Sequence, residues 1–256
     1  MLNIRYMSIL LLYFTVPTMS QENSVEQNNT ADLSRQILPE EVKMLGTQSP
    51  FLVLQRESMT PSTKGTVLLI PDATGHAASA KHIDALRQQL NDYGWNTLAV
   101  MPPDIPETLN TDDAVQRYQT ALQQRMSQVQ QQAMQDAGSI VVIAQGSSAA
   151  VLNRLYVSSA LPEPAALILL GAYLPEDQQN RALARAIASH PIPTLDINHV
   201  QDNRFVRSQL QLRQKLANKL LKPVYRQRLI TGSGYNTDVQ QWVLQEIYGW
   251  LTSVGL

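Results

Sequence analysis

Cysteine is absent from all 256 residues. That excludes disulfides, thiolate zinc sites, cysteine nucleophiles and lipid attachment to an N-terminal cysteine. Charge is sparse: Asp, Glu, Lys and Arg make up 16 % of the chain and the net charge is −1, which argues against a nucleic-acid binder. No stretch beyond the first twenty residues is apolar for long enough to cross a ~30 Å hydrocarbon core. A phosphate-binding loop is missing as well. Ile230-Thr231-Gly232-Ser233-Gly234 follows a strand pattern but lacks the Lys and the spacing. No cofactor and no metal are expected. The scarcity with most chemical consequence is that of histidine. The chain has four, His76, His82, His190 and His199, and none after position 199.

Apolar residues make up 44 % of the chain, enough for one large domain with a sizeable core. The first residues read as an export signal. Arg5 is the only charge in residues 1–20, an apolar run covers Met7 to Val16, and Pro17 breaks any helix. Thr18 and Ser20 place small residues at −3 and −1 of a cut before Gln21. The expectation is a signal peptide over 1–20, removal of which leaves no membrane span. A disordered polar leader is expected over 21–31, and a single folded domain over 32–256.

Within 32–45 a short helix is expected, with Pro39 near its start ahead of Glu40 and Glu41. From Thr66 onward, apolar runs alternate with amphipathic stretches. "TVLLIPD", "WNTLAVMPP", "SIVVIAQ", "AALILLGA", "IPTLDINHV" and "VYRQRLITG" read as strands, and the segments between them carry helical spacing. Thr111 caps the longest helix, with Asp112 and Asp113 in its first turn. Asn203 to Lys222 reads as one helix with Leu210, Leu216 and Leu220 inward. The pattern predicts an α/β fold, a doubly wound and mostly parallel sheet covered by helices on both faces.

The order and spacing of "LLIPDATGH", "LNDYGWNTLAVMPPD", "IVVIAQGSSAAVLNRL", "ALILLGAYLP", "IPTLDINHVQDNR", "YRQRLITG" and "IYGWL" resemble the α/β-hydrolase superfamily. More narrowly they are similar to an exported, uncharacterised family of that fold from Gram-negative bacteria. The resemblance covers roughly 66–251 and implies a nucleophile elbow, G-x-S-x-G, at the turn after the central strand. A strand ending at Gln145 puts Gly146 at the nucleophile and leaves Ser147 and Ser148 as helix N-terminal serines. Sliding the register by one or two makes Ser147 or Ser148 the nucleophile, and Gly146-Ser147-Ser148-Ala149-Ala150 is a formal match to G-x-S-x-[GA].

The resemblance also implies an acid and then a histidine, in that order. Asp202 stands at the acid position; with no histidine behind it, it reads as a loop-to-helix cap. Asp72 and His76 follow the strand whose loop supplies an oxyanion donor in such enzymes, and His76 is the candidate for a substitute base. Asp196 and His199, three residues apart in a strand, point to opposite faces, which argues against a shared metal.

Between Asn203 and Thr237 the chain has basic residues and no acidic one. Arg204, Arg207, Arg213, Lys215, Lys219 and Lys222 form either a solvated face or a contact for an anionic partner. The function that follows is a periplasmic pseudo-hydrolase with a degenerate triad, serving binding or assembly with an envelope partner or a small acyl ligand. The alternative is an esterase using Ser147 or Ser148 with a non-standard base such as His76.

Overall fold

Eight strands form one sheet in the order β1-β2-β4-β3-β5-β6-β7-β8 in the computed structural model. It describes residues 24–105 and 108–256; the expected export signal and the cut before Gln21 lie outside them. The strands are β1 Val42–Leu45, β2 Phe51–Arg56, β3 Gly65–Ile70, β4 Trp95–Val100, β5 Ser139–Gln145, β6 Ala166–Leu170, β7 Thr194–His199 and β8 Tyr225–Ile230. β3 to β8 run parallel, while β1 and β2 pair antiparallel at one edge.

Helices cover both faces because the central strands are apolar on both. Leu68 and Ile70 of β3 and Val142 and Ala144 of β5 join one core with α3 (Asp112–Ala133), α4 (Gly146–Val157) and α5 (Asp177–Ser189). Their alternates Val67, Leu69, Val141 and Ile143 join a second core with α2 (Ile83–Gln89) and α8 (Thr237–Ser253). Period-two alternation between two covered faces is what a continuous apolar run encodes. Thr111 caps α3 through Ala114 N–H, as its position implies. No described helix is long and apolar enough to cross a membrane.

Three local expectations are corrected. Residues from Val25 on are helix, not leader: α1 (Val25–Gln36) starts on a reciprocal capping box between Ser24 and Gln27. Glu26 pairs with Arg125 of α3 at 2.7 Å, and Leu33 enters the second core. The helix expected within 32–45 ends at Gln36, and 42–45 becomes β1, because those residues complete the antiparallel edge against β2. The long helix after Asn203 is two, α6 (Arg204–Arg207) and α7 (Leu210–Lys219), and Leu220 is exposed just past the second.

Among the described residues the outer strands β1 and β8 each have a partner on one side only. Lys43 on β1, and Arg226 and Arg228 on β8, are exposed.

Candidate active-site cleft

β5 ends at Gln145 and Gly146 opens α4 with φ +58°. That left-handed conformation suits glycine and strains other residues. It also brings the backbone against a carboxylate. A Cβ on Gly146 would stand 2.2 Å from Asp72 Oδ1 and 2.6 Å from its Cγ. Asp72 therefore occupies the volume into which a side chain at the elbow would project.

Asp72 lies in the loop after β3 and is bound to the start of α4. Its Oδ1 accepts from Ser147 N–H at 2.7 Å and from Ser147 Oγ–H at 2.5 Å, and its Oδ2 accepts from Thr74 Oγ1 at 3.0 Å. The amide after the elbow residue is one of the two oxyanion donors in hydrolases of this fold. Here it already serves an anion of the chain's own. Ser147 Oγ accepts from Ala73 N–H at 3.4 Å. Ser148 is fully buried and exchanges a 2.6 Å hydrogen bond with Tyr118 Oη. Neither serine caps α4, contrary to expectation: the cap residue is Gln145, with no side-chain capping bond, and the helix's free N–H at Ser147 is taken by Asp72. A charged acceptor from outside the helix displaces a local hydroxyl because it gains both the charge-assisted bond and the helix dipole.

Asp202 is likewise no helix cap. Asn203 caps α6 through Val206 N–H, while Asp202 Oδ2 accepts from His199 N–H at 2.7 Å and Oδ1 pairs with Lys81 at 2.9 Å. His76 follows Asp72 in the loop after β3, and burial lowers its pKa below the usual imidazole value. Its Nδ1 accepts from Ala78 N–H, so the structure does not join it to Asp72 or to either serine.

A histidine pair that sequence reasoning did not foresee lies beside the loop after β8. His82 and His199 stack at 5.0 Å and share an Nε2–Nε2 hydrogen bond of 2.8 Å. Gly232 C=O accepts from His199 Nδ1 at 3.0 Å, which places that ring's proton on Nδ1. His82 Nε2 then donates to His199, and His82 Nδ1 keeps a buried lone pair without a partner. Burial and then the neighbouring His199 lower the His82 pKa to about 3. A Cβ on Gly234 would stand 2.4 Å from His82 Nε2. His82 thus fills part of the space beside the β8–α8 loop, where the resemblance implies a general base.

An open cleft of about 530 Å³ is lined by residues that include Asp72, His76, Lys81, Gly146, Tyr173 and Asp202. A second cavity of about 400 Å³ shares Asp72, Thr74 and Tyr173 and is walled by Ile105, Leu109 and Pro175. Among the described residues no three His, Asp or Glu side chains gather as a metal-ligand set.

The basic segment is smaller than its sequence suggests. Arg213 is fully buried, with bonds to Asp196 at 3.2 and 3.3 Å. Lys222 donates to His190 C=O at 2.7 Å; burial lowers its pKa to about 8. Arg204, Arg207, Lys215 and Lys219 remain exposed. Two of the six residues expected on a contact face are internal because carbonyls and carboxylates of other elements draw them inward.

Solved structures with the same architecture are similar to this chain. TT1662 from Thermus thermophilus matches with a TM-score of 0.62 and 13 % identity over 83 % of this chain and 98 % of that one. Est1E from Butyrivibrio proteoclasticus matches at 0.62 and 13 % over 84 % and 98 %. Thermogutta terrifontis esterase 2 matches at 0.63 and 12 % over 84 % and 95 %. The fold is therefore that of the α/β hydrolases. No curated protein matches the sequence. A family model described as "Protein of unknown function (DUF3530)" matches residues 15–114 and 106–253, and the chain belongs to that family.

Proposed function

We propose that this protein is an exported, periplasmic member of its fold that uses a hydrolase scaffold to bind, without hydrolysing. The observation that carries the reading is the Asp72 carboxylate, which stands where a nucleophile's side chain would project and takes the Ser147 N–H. Lack of a histidine after position 199 supports it, since a hydroxyl without a base is a poor nucleophile near neutral pH. The cleft persists, a concave site with convergent polar and ionisable side chains in its wall. Export rests on the arrangement of residues 1–20, and the exposed arginines and lysines after Asn203 suit an anionic envelope component.

A fluorophosphonate probe and short acyl nitrophenyl esters test the catalytic side. No labelling and no turnover above buffer are expected. Labelling that disappears in Ser147→Ala but survives in Gly146→Ala would make Ser147 the nucleophile and overturn the reading. Intact mass of the protein recovered from the periplasm should begin at Gln21; recovery of the uncut chain in the membrane fraction contradicts export.

A further inference from the structure

We propose that the cleft beside Gly146 binds an organic ammonium group, with the Asp72 carboxylate as its counter-ion; this rests on the binding reading above. A hydrolase elbow presents unoccupied N–H donors to a developing negative charge. In this chain the Ser147 amide and hydroxyl both end on Asp72 Oδ1, and the Thr74 hydroxyl on Oδ2. What faces the cleft is the carboxylate itself, so the site's sign is inverted.

The charges around it agree. Among the described residues no Lys, Arg or His is ion-paired with Asp72: Lys81 is paired with Asp202, Arg125 with Glu26 and Arg213 with Asp196. Of the acidic and basic side chains lining the cleft, two are carboxylates, against the single ammonium of Lys81 and the imidazole of His76, whose pKa burial lowers. A carboxylate or phosphate entering here would meet the Asp72 carboxylate, with the Ser147 and Thr74 donors already used on it. A cation would find a carboxylate whose position is fixed by three hydrogen bonds, so little ordering is left to do on binding.

The wall adds an aromatic ring. Tyr173 lines both cavities together with Asp72; burial first, and then the charges of Asp72 and Asp202, raise its phenol pKa to about 12. A cation held near an aromatic ring gains attraction from the ring's quadrupole. The cleft, at about 530 Å³, is far larger than a bare ion needs, and the remaining lining, including Ser79, Gln201 and Asn203, offers hydroxyls and amides. The ligand class is therefore an amine carried on a polar body.

Amide resonances of Gly146 and Ser147 in the ¹⁵N-labelled protein report on Asp72 directly. Four probes separate charge from shape: glucosamine, N-acetylglucosamine, glucuronate and methylammonium. Glucosamine and methylammonium should shift Ser147 and Gly146 saturably. N-acetylglucosamine and glucuronate should bind at least about tenfold more weakly, as should glucosamine to Asp72→Asn, since each loses a charge-assisted contact. The comparison among probes on the unaltered protein stands even if the variant folds poorly. Equal binding of N-acetylglucosamine, tighter binding of glucuronate, saturation of the same shifts by magnesium chloride, or no shift with either amine each overturns the proposal. Such a failure leaves the probe-labelling result untouched, so loss of the ammonium site and return of a hydrolase are distinguishable.

Discussion

Gly146→Ala tests whether the elbow and Asp72 compete for one volume. The new Cβ would lie 2.2 Å from Asp72 Oδ1, so the carboxylate must withdraw. Two costs follow. Holding a non-glycine residue at φ +58° costs about 1–2 kcal/mol. Withdrawal forfeits the bonds from Ser147 N–H and Oγ–H; bonds to a charged group are worth about 1.5–3 kcal/mol each. Because the cleft is open and water can replace part of the loss, we count about one bond. The expected destabilisation is about 2.5–5 kcal/mol, and each kcal/mol lowers the melting temperature by roughly 2–4 °C in a domain of this size. In an Asp72→Ala background the same substitution should cost only the backbone part, about 1–2 kcal/mol. The difference between backgrounds, about 1.5–3 kcal/mol, is the coupling that a double-mutant cycle reads by denaturant titration. Equal costs in the two backgrounds would refute the steric competition and the account of the cleft built on it.

Arg213→Ala leaves the buried Asp196 without its cation and should cost about 3–5 kcal/mol, against less than about 0.5 kcal/mol for the exposed Lys215→Ala; similar values would return Arg213 to the surface. Ser148→Ala and Tyr118→Phe each strip a buried hydroxyl of its partner and should destabilise by about 1–3 kcal/mol, with the double substitution costing less than the sum; additive losses in thermal melts would count against the pair. Burial lowers the pKa of His82 and of His190 to about 3, below the ~6.5 of the unfolded chain. Between those values the unfolded state holds protons that the folded state lacks, so stability falls as pH drops from 6.5. Each histidine contributes at most about 1.4 kcal/mol per pH unit, and His82→Gln should lower the slope measured between pH 6.5 and 5 by about one proton; an unchanged slope shows that His82 titrates normally.

The strands of the central sheet were readable because burial on both faces leaves nothing polar to interrupt them, as in Val67 to Ile70 and Val141 to Ala144. α3 was readable from a cap and an apolar stripe together. α1 was not, because a single residue, Leu33, is buried along it. Its Ser24-Val25-Glu26-Gln27 start nevertheless fits the capping-box signature, and that was the missed signal. At the site, the strand end located Gly146 at the turn. The role of Asp72 depends on a contact across 75 residues, which no local pattern encodes. Arg213 and Lys222 looked solvated because their partners, Asp196 and the His190 carbonyl, belong to other elements. The His82–His199 bond spans 117 residues and is hidden for the same reason.

The two open edges of the sheet bear on how copies of this chain meet. Among the described residues β1 and β8 each present an edge without a further strand, the template on which sheets fuse into ribbons. A head-to-tail ribbon joins β8 of one copy to β1 of the next, and nothing in the rotation between copies obliges such a contact to close. Lys43 stands on one margin and Arg226 and Arg228 on the other, all exposed. Fusion in that direction would bring cation to cation. Joining β8 to β8 would bring four arginines together, two of them already engaged by Glu246 of their own chain. Positive charge at both margins thus weighs against fusing the edge of one copy to the edge of another, the device by which charged edge strands blunt sheet growth.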